Sequence, residues 1–290
     1  MEGCHLCPRE CGVDRTSTIG YCGQSKEIRI AKVSLHRFEE PPISGTRGSG
    51  TVFFCGCSLC CEFCQNKKIS HASSEGQIVT PAELAKIFLS LQAKGAHNIN
   101  LVTPTHFADG IRKALLLAKP KLYIPVVYNT SGYERVETLQ TLEGLVDVYL
   151  PDFKYVSPAL AQKYSSAPDY AAVAERALLE MHRQVGAPQW DGYGLLLRGV
   201  VVRHLVLPAA RKDSIAVLDR LAGLLPKKEF LLSLMSQYTP EFAMDSPYRE
   251  LHRRLTSFEY DSVLAHAKTL GFEGFMQGRA SASTKYTPDF

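Results

Sequence analysis

Six β-rich apolar runs recur along the chain with helical stretches between them, and this alternation limits the fold more than any other feature. The runs are TVFFCGC, NINLVTP, IPVVYNTS, DVYLPDF, GVVVRHLVLP and EFLLSLMSQY. Several are continuously apolar, as strands of a parallel sheet are when both faces are covered. The clearest helix begins at Thr80-Pro81, where Glu83 completes a capping box and proline takes the first helical position. Leu84, Ile87, Phe88 and Leu91 continue it as an i, i+3, i+4, i+7 stripe, and Leu218, Leu221, Ala222 and Leu225 repeat the spacing. Alternating strands and helices predict an α/β fold with a parallel sheet, open or closed into a barrel. A chain of 290 residues can bury such a fold as one domain.

The runs end in uncommon chemistry. After the first come cysteines, then Thr103 and Thr105, then Asn129-Thr130-Ser131, Asp152 with Lys154, Arg203-His204, and Gln237-Tyr238. In β/α barrels the carboxyl ends of the strands converge on one mouth, so six polar ends describe one site. Wet loops account for about half of these residues. They do not account for an Asp, a Lys and an Arg in otherwise apolar strand contexts.

Composition narrows the setting. Net charge is +4 with basic residues scattered, so nucleic acid is not supported as a partner. The first residues, MEGCHLCPRECG, lack the layout of a secretory signal, and no apolar run nears a membrane span, so a cytoplasmic protein is expected. Nine cysteines, an odd number in two groups, then point to metal and not to disulfides. Residues 1–47 read as a cysteine-rich segment holding a strand, EIRIAKVSLH, and an irregular loop, EEPPISGTRGSG. Residues 48–290 carry the alternating pattern and end in helices.

The stretch FFCGCSLCCEFCQN packs five cysteines into ten positions, Cys55 to Cys64. It offers two triads. Cys57, Cys60 and Cys64 give C-x2-C-x3-C, whereas Cys57, Cys61 and Cys64 give C-x3-C-x2-C with Phe63 before the last cysteine. Three thiolates on a four-iron cubane leave one iron open to chemistry. A zinc site would want a fourth ligand, and buried free thiols are the remaining alternative. Cys4, Cys7, Cys11 and Cys22 form a separate and complete set, C-x2-C-x3-C-x10-C, in which Gly12 and Gly23 ease tight turns. Four thiolates close a zinc tetrahedron or fill a second cluster, and the spacing does not decide between them.

CSLCCEFCQN following GTVFF resembles the cluster loop of the radical S-adenosylmethionine (SAM) superfamily, in the branch around pyruvate formate-lyase activating enzyme. The likeness runs from about Gly48 through Tyr238, and CPRECGVDR, EEPPISG and NLVTPTHF make the whole chain similar to the PflX-like group. The resemblance implies a partial (β/α)6 barrel and a 4Fe–4S cluster on Cys57, Cys61 and Cys64, with SAM on the fourth iron. Cys55 and Cys60 would then not be ligands. It implies SAM contacts from Asn129, Thr130, Ser131, Asp152, Lys154 and Arg203, with a monovalent cation as an option. Phe63 and Asn66 would approach the adenine. The activases' glycine-glycine-glutamate-proline motif is replaced by NLVTPTHF, where Thr103 and Thr105 can supply acceptors, and Gln237-Tyr238 stands in place of their last-strand histidine. His106 and His204 read as structural donors before acid–base groups. Implied partners are a reductant such as flavodoxin or ferredoxin and a substrate, either a glycine of a partner glycyl radical enzyme or another peptide or small molecule. The rival class is a non-catalytic iron–sulfur or zinc protein that senses redox state or transfers electrons.

Overall fold

A strand flanked by parallel neighbours satisfies its backbone on both edges and must bury both faces, so the six apolar runs belong side by side. The structure, a computed structural model, describes residues 3–71 and 75–277. The end of the expected barrel segment, 278–290, lies outside the described residues. Strands β1 (Ile28–His36), β2 (Ser49–Phe54), β3 (Gln77–Val79), β4 (Ile99–Val102), β5 (Val126–Thr130), β6 (Val148–Pro151), β7 (Gln189–Trp190), β8 (Leu196–Leu205), β9 (Leu231–Met235) and β10 (Gly274–Met276) share one sheet. Its order is β10-β9-β8-β6-β5-β4-β2-β1-β3, with β7 paired to β8.

The six expected runs are β2, β4, β5, β6, β8 and β9, and each pairs in parallel with the next. Helices connect them, so this is an α/β fold built as a partial barrel. A seventh parallel strand, β10, extends it beyond β9. EIRIAKVSLH forms β1, which lies antiparallel on β2 and carries β3 on its other edge. The strands not foreseen, β3, β7 and β10, span two or three residues each, too short to show a period.

The helix Pro81–Ala93 begins as its sequence demands: Thr80 Oγ1 accepts from the Glu83 amide at 3.3 Å, and Glu83 Oε2 accepts from the Thr80 amide at 2.8 Å. Leu84, Phe88 and Leu91 are buried, and Ile87 packs against them. At about 1.5–3 kcal/mol per buried side chain, this stripe holds the helix better than its propensity does. Near the chain's end, the helix Ser257–Leu270 has a second capping box from Thr256 and Glu259. Among the described residues no helix is long and apolar enough to cross a membrane.

Side chains alternate across the sheet. Val52, Phe54, Leu101, Tyr128, Tyr149, Val202 and Leu234 join the large core beneath the helices. The opposite face carries a second cluster of Val127, Val148, Leu150, Val201 and Leu231, into which Ile43 packs. Ile43 lies in the short helical turn Pro41–Ser44, and its carbonyl accepts from Asn98 Nδ2 at 2.7 Å. The chain leaving β1 therefore turns back against the inner face of the sheet. This turn brings Glu39 and Glu40 within the fields of groups at the strand ends.

Candidate active site

The loop after β2 separates its five thiols by backbone conformation. Cys60 adopts φ 51°, the left-handed region that L residues rarely enter, so it and its neighbour Cys61 leave the chain in different directions. The Cys60 thiol donates to the carbonyls of Cys57 at 3.3 Å and Ser70 at 3.5 Å. The Cys55 thiol donates to the Glu75 carbonyl at 3.1 Å. Cys57, Cys61 and Cys64 instead line a common cleft at the ends of the parallel strands. Cys57 Sγ accepts from the Leu59 amide at 3.3 Å, Cys61 Sγ from Ser165 Oγ at 3.0 Å, and Cys64 Sγ lies 3.2 Å from Ser70 Oγ.

Burial pushes all three cleft thiols above the ordinary cysteine range, with Lys154 pulling the other way. Thiolates here need a strongly cationic partner, which a metal cluster supplies. Among the described residues no three His, Cys, Asp or Glu side chains stand close enough to hold a single metal ion. A cubane spreads its thiolates over separate irons, so a cleft walled by three separated thiols fits that larger group.

Phe63, Asn66, Thr103, Asn129, Thr130, Ser131, Asp152, Lys154, Arg203 and Gln237 line the same cleft. The polar end of each parallel strand thus meets the cysteine loop. Arg203 is the hub: its Nε donates to Asp152 at 3.0 Å, its Nη2 donates to Asn129 Oδ1 at 2.6 Å, and its Nη1 lies 3.6 Å from Glu39 Oε2. Lys154 Nζ donates to the other Asp152 oxygen at 2.6 Å. Burial alone would raise the Asp152 carboxyl, but Arg203 and Lys154 outweigh it and hold it below its usual range. Lys154 is likewise kept protonated, Asp152 and Cys61 overcoming the burial of its ammonium. The Phe63 ring sits among Tyr155, Tyr164 and Tyr238, 6.3 to 6.5 Å between centroids, and closes one wall with apolar surface. Thr103 adopts φ 58°, a strained conformation for a β-branched residue and one that functional clefts concentrate.

One sequence expectation is corrected. Thr105 does not line the cleft; it opens a 3-10 turn, and its hydroxyl donates to Glu134 at 2.5 Å. Thr130 reaches the same carboxylate with its hydroxyl. Burial pushes Glu134 up to about 7 against these donors. His106 and His204 are structural: their ring N–H groups donate to the carbonyls of Cys55 and Phe153, each at 2.7 Å. Burial drives His106 down to about 3 and His204 to about 4, so both are neutral. Tyr238 is buried with its hydroxyl on the Leu251 carbonyl.

Sequence reasoning missed Glu39. Its Oε1 accepts from Asn100 Nδ2 at 3.0 Å and Asn129 Nδ2 at 3.4 Å, and it lines the cleft. Burial raises both Glu39 and Glu40 above the ordinary carboxylate range, with Arg203 opposing. The available signal was the pair of acids preceding Pro-Pro in EEPPISG, charges that a merely irregular surface loop does not bury.

The N-terminal cysteines also gather. Cys22 and Cys11 both place Sγ beside Gly20, 3.4 and 3.6 Å from where a Cβ would stand, and Cys4 Sγ accepts from Arg15 at 3.8 Å. Cys7 lies within the electrostatic reach of Cys22 and Cys4, and burial pushes it up to about 12. Gly12 and Gly23 take φ 64° and 75°, the turns their positions predict.

The family model described as the Radical SAM superfamily matches residues 51–187. The chain is 30% identical over 278 residues to the uncharacterized protein MJ0674 of Methanocaldococcus jannaschii, covering 92% of this chain and 75% of that protein. Among solved structures it is similar to Streptococcus suis SuiB bound to precursor peptide SuiA, with 15% identity, TM-score 0.49, 77% of this chain and 46% of that one covered. It therefore spans less than half the length of that protein. Methylornithine synthase (PylB) is similar at 16% identity and TM-score 0.46, over 75% of this chain and 63% of that one. The matched model, together with the mostly parallel sheet and the cysteine loop after β2, gives this chain a radical SAM domain over residues 51–187, the domain of a superfamily of enzymes that use a 4Fe–4S cluster and SAM.

Proposed function

We propose that Cys57, Cys61 and Cys64 hold the 4Fe–4S cluster and that the cleft beside them orients SAM. The observation that carries this reading is the sorting of thiols: three face one cleft with Lys154 and Arg203, while Cys55 and Cys60 turn to backbone carbonyls. When bound, the cluster and SAM supply reductive cleavage of SAM to methionine and a 5′-deoxyadenosyl radical, which takes a hydrogen atom from substrate.

The chain's part is to bind, orient and exclude water. Arg203 and Lys154 present donors suited to the SAM carboxylate, and Asp152 keeps both of them charged and aimed. Asn129, Thr130 and Ser131 complete the polar wall, with a monovalent cation beside Asp152 as an added ligand of this region. Asn66, Thr103 and Gln237 close the cleft around the nucleoside, and the aromatic group about Phe63 keeps water from it. The hydrogen donor follows from the resemblance: a glycine of a partner glycyl radical enzyme, with another peptide or small molecule as the alternative. A low-potential flavodoxin or ferredoxin supplies the electron. The second metal site falls to Cys4, Cys7, Cys11 and Cys22.

The test is anaerobic reconstitution of the full chain, reduction, and addition of SAM. Formation of 5′-deoxyadenosine is expected. Its absence from a protein with an intact, reducible cluster would overturn the enzymatic reading in favour of a non-catalytic redox protein.

A further inference from the structure

Glu39 and Glu40 are two carboxylates for which the proposed handling of SAM gives no use. The turn after them pins both beside Arg203. The Glu39 amide donates to Ser44 Oγ at 2.9 Å, and the Glu40 carbonyl accepts from the amides of Ile43 at 2.8 Å and Ser44 at 3.0 Å. Ile43 is fully buried in the apolar cluster on the inner face of the sheet, which ties the turn down. Both acids are therefore held out of solvent, Glu40 at 8% exposure and the Glu39 side chain at 10%.

The charges here do not balance. Arg203 Nη1 lies 3.6 Å from Glu39, its Nε bonds Asp152 at 3.0 Å, and Lys154 bonds the other Asp152 oxygen at 2.6 Å. Glu40 lies in the field of Arg203 and Glu39 and accepts from Ser233 on β9. Three carboxylates thus face two cations, one negative charge in excess. Asn100 on β4 and Asn129 on β5 donate to Glu39, but an amide supplies no charge. Glu40 Oε2 has no hydrogen-bond partner among the described residues. His36, at the end of β1, lines the same cleft, yet burial and Lys32 hold it below its ordinary range and neutral at neutral pH. An unpaired buried charge is costly, so a proton or a positive ligand must offset the surplus. Burial raises both acids in keeping with a proton there.

We propose that Glu39, with Glu40 behind it, makes the cleft specific for a ligand of fixed positive charge: the pair shares one proton in the unliganded protein, and the ligand's charge displaces it. This rests on the reading that the cleft orients SAM, whose sulfonium is such a charge. The discrimination it adds is against S-adenosylhomocysteine, a neutral thioether with the same amino and carboxylate groups. One proton leaves a carboxyl for water as one positive charge enters, and no bond within the ligand changes. Affinity for SAM therefore rises with pH while the pair holds its proton, and levels off once the pair is ionised in the free protein. The neutral thioether displaces no proton, so its affinity stays flat over the same range.

The test is calorimetry of the full-length, reconstituted and oxidised protein with SAM, in buffers of differing ionisation enthalpy. Wild type should release about one proton per SAM bound in mild acid, with affinity rising about tenfold per pH unit there. Glu39→Gln and Glu40→Gln each remove the surplus charge. Each should abolish the release and cut the preference for SAM over S-adenosylhomocysteine by about tenfold at neutral pH. Both variants keep His36, so a release that survives in them belongs to other groups and overturns the proposal. Wild type that binds SAM without releasing a proton overturns it too, as does binding that ignores pH but requires potassium, since a metal cation then holds the surplus. Because the proton count is read in wild type, the proposal stays testable even if a variant fails to fold. Failure of cluster-loaded wild type to bind SAM at all would instead strike at the SAM reading, and this inference would fall with it.

Discussion

Arg203→Ala tests how the cleft is held together before any cofactor arrives. The guanidinium sits among Asp152, Asn129 and Glu39, and the side chains of Arg203, Asp152 and Glu39 are 16%, 17% and 10% exposed. Removing one partner of a buried ion pair costs about 3–5 kcal/mol, because the other charge is left without compensation. Here the loss is softened: Lys154 still pairs with Asp152 at 2.6 Å, and Asn100 still donates to Glu39 at 3.0 Å. The low end applies, about 3 kcal/mol at neutral pH. The pH dependence follows from the direction of each shift. Asp152 is held below the usual carboxylate range, so its stabilising contribution is present above that range and lost as pH falls. Without Arg203 much of this contribution disappears. Glu39 and Glu40, already raised by burial, rise further, and a raised carboxylate loses its contribution as pH increases. Both changes make the variant's deficit largest at neutral to basic pH and smallest in acid. Urea unfolding of the metal-free protein at several pH values measures it. A deficit under about 1 kcal/mol, or one that grows on acidification, refutes the reasoning. In the reconstituted protein the same change should weaken SAM binding by at least about 1 kcal/mol, read by calorimetry.

Further outcomes follow from single side chains. Cys61→Ala should abolish the SAM-sensitive cluster, while Cys60→Ala and Cys55→Ala leave iron content and 5′-deoxyadenosine formation near wild type; the reverse would put the loop in the other register. Glu134, raised to about 7 by burial, costs the fold stability as pH rises from the ordinary carboxylate range through that value. Glu134→Gln should therefore gain on wild type by roughly 3 kcal/mol between pH 4 and pH 8, and parallel pH–stability curves would contradict the assignment. Thr103→Gly should raise the melting temperature or leave it level, since relief of a left-handed β-branched residue of about 1–2 kcal/mol offsets the entropy of glycine. A large fall would mean that the strain account is wrong.

Much of this arrangement is legible in the chain because the signals are local. The Thr80–Glu83 box and its stripe specify a helix within a dozen residues, and the structure builds it as written. The polar strand ends are legible for a related reason: a parallel strand is apolar until it leaves the sheet, so Asp152, Lys154 and Arg203 stand out against Val, Leu and Tyr. Thr105 stands only two positions beyond Thr103, yet the backbone changes course between them. The chain turns into a 3-10 helix at Thr105, and its hydroxyl faces Glu134 beneath the cleft. For Glu39 the acid pair before Pro-Pro was the one local signal, and its place in the cleft depends on Asn100, Asn129 and Arg203, which lie 61, 90 and 164 positions away.

The sequence by itself determined six of the parallel strands, the cysteine spacing, and the residue types waiting at those strand ends. These follow from periodicity and from composition along a few consecutive residues, which tertiary contacts seldom override when the pattern is long. Only the tertiary structure decided which side chains meet. A strand's side chains alternate, so a one-residue slip would exchange Asn129 and Arg203 for their outward neighbours Tyr128 and His204; pairing with distant strands fixes that register. The sorting of Cys60 from Cys61 likewise rests on one left-handed residue, held there by the carbonyls of Cys57 and Ser70. The docking of Cys22 on Cys57 has the same character: two peptide groups 35 positions apart meet because β1 folds back on β2, a contact that no local pattern encodes.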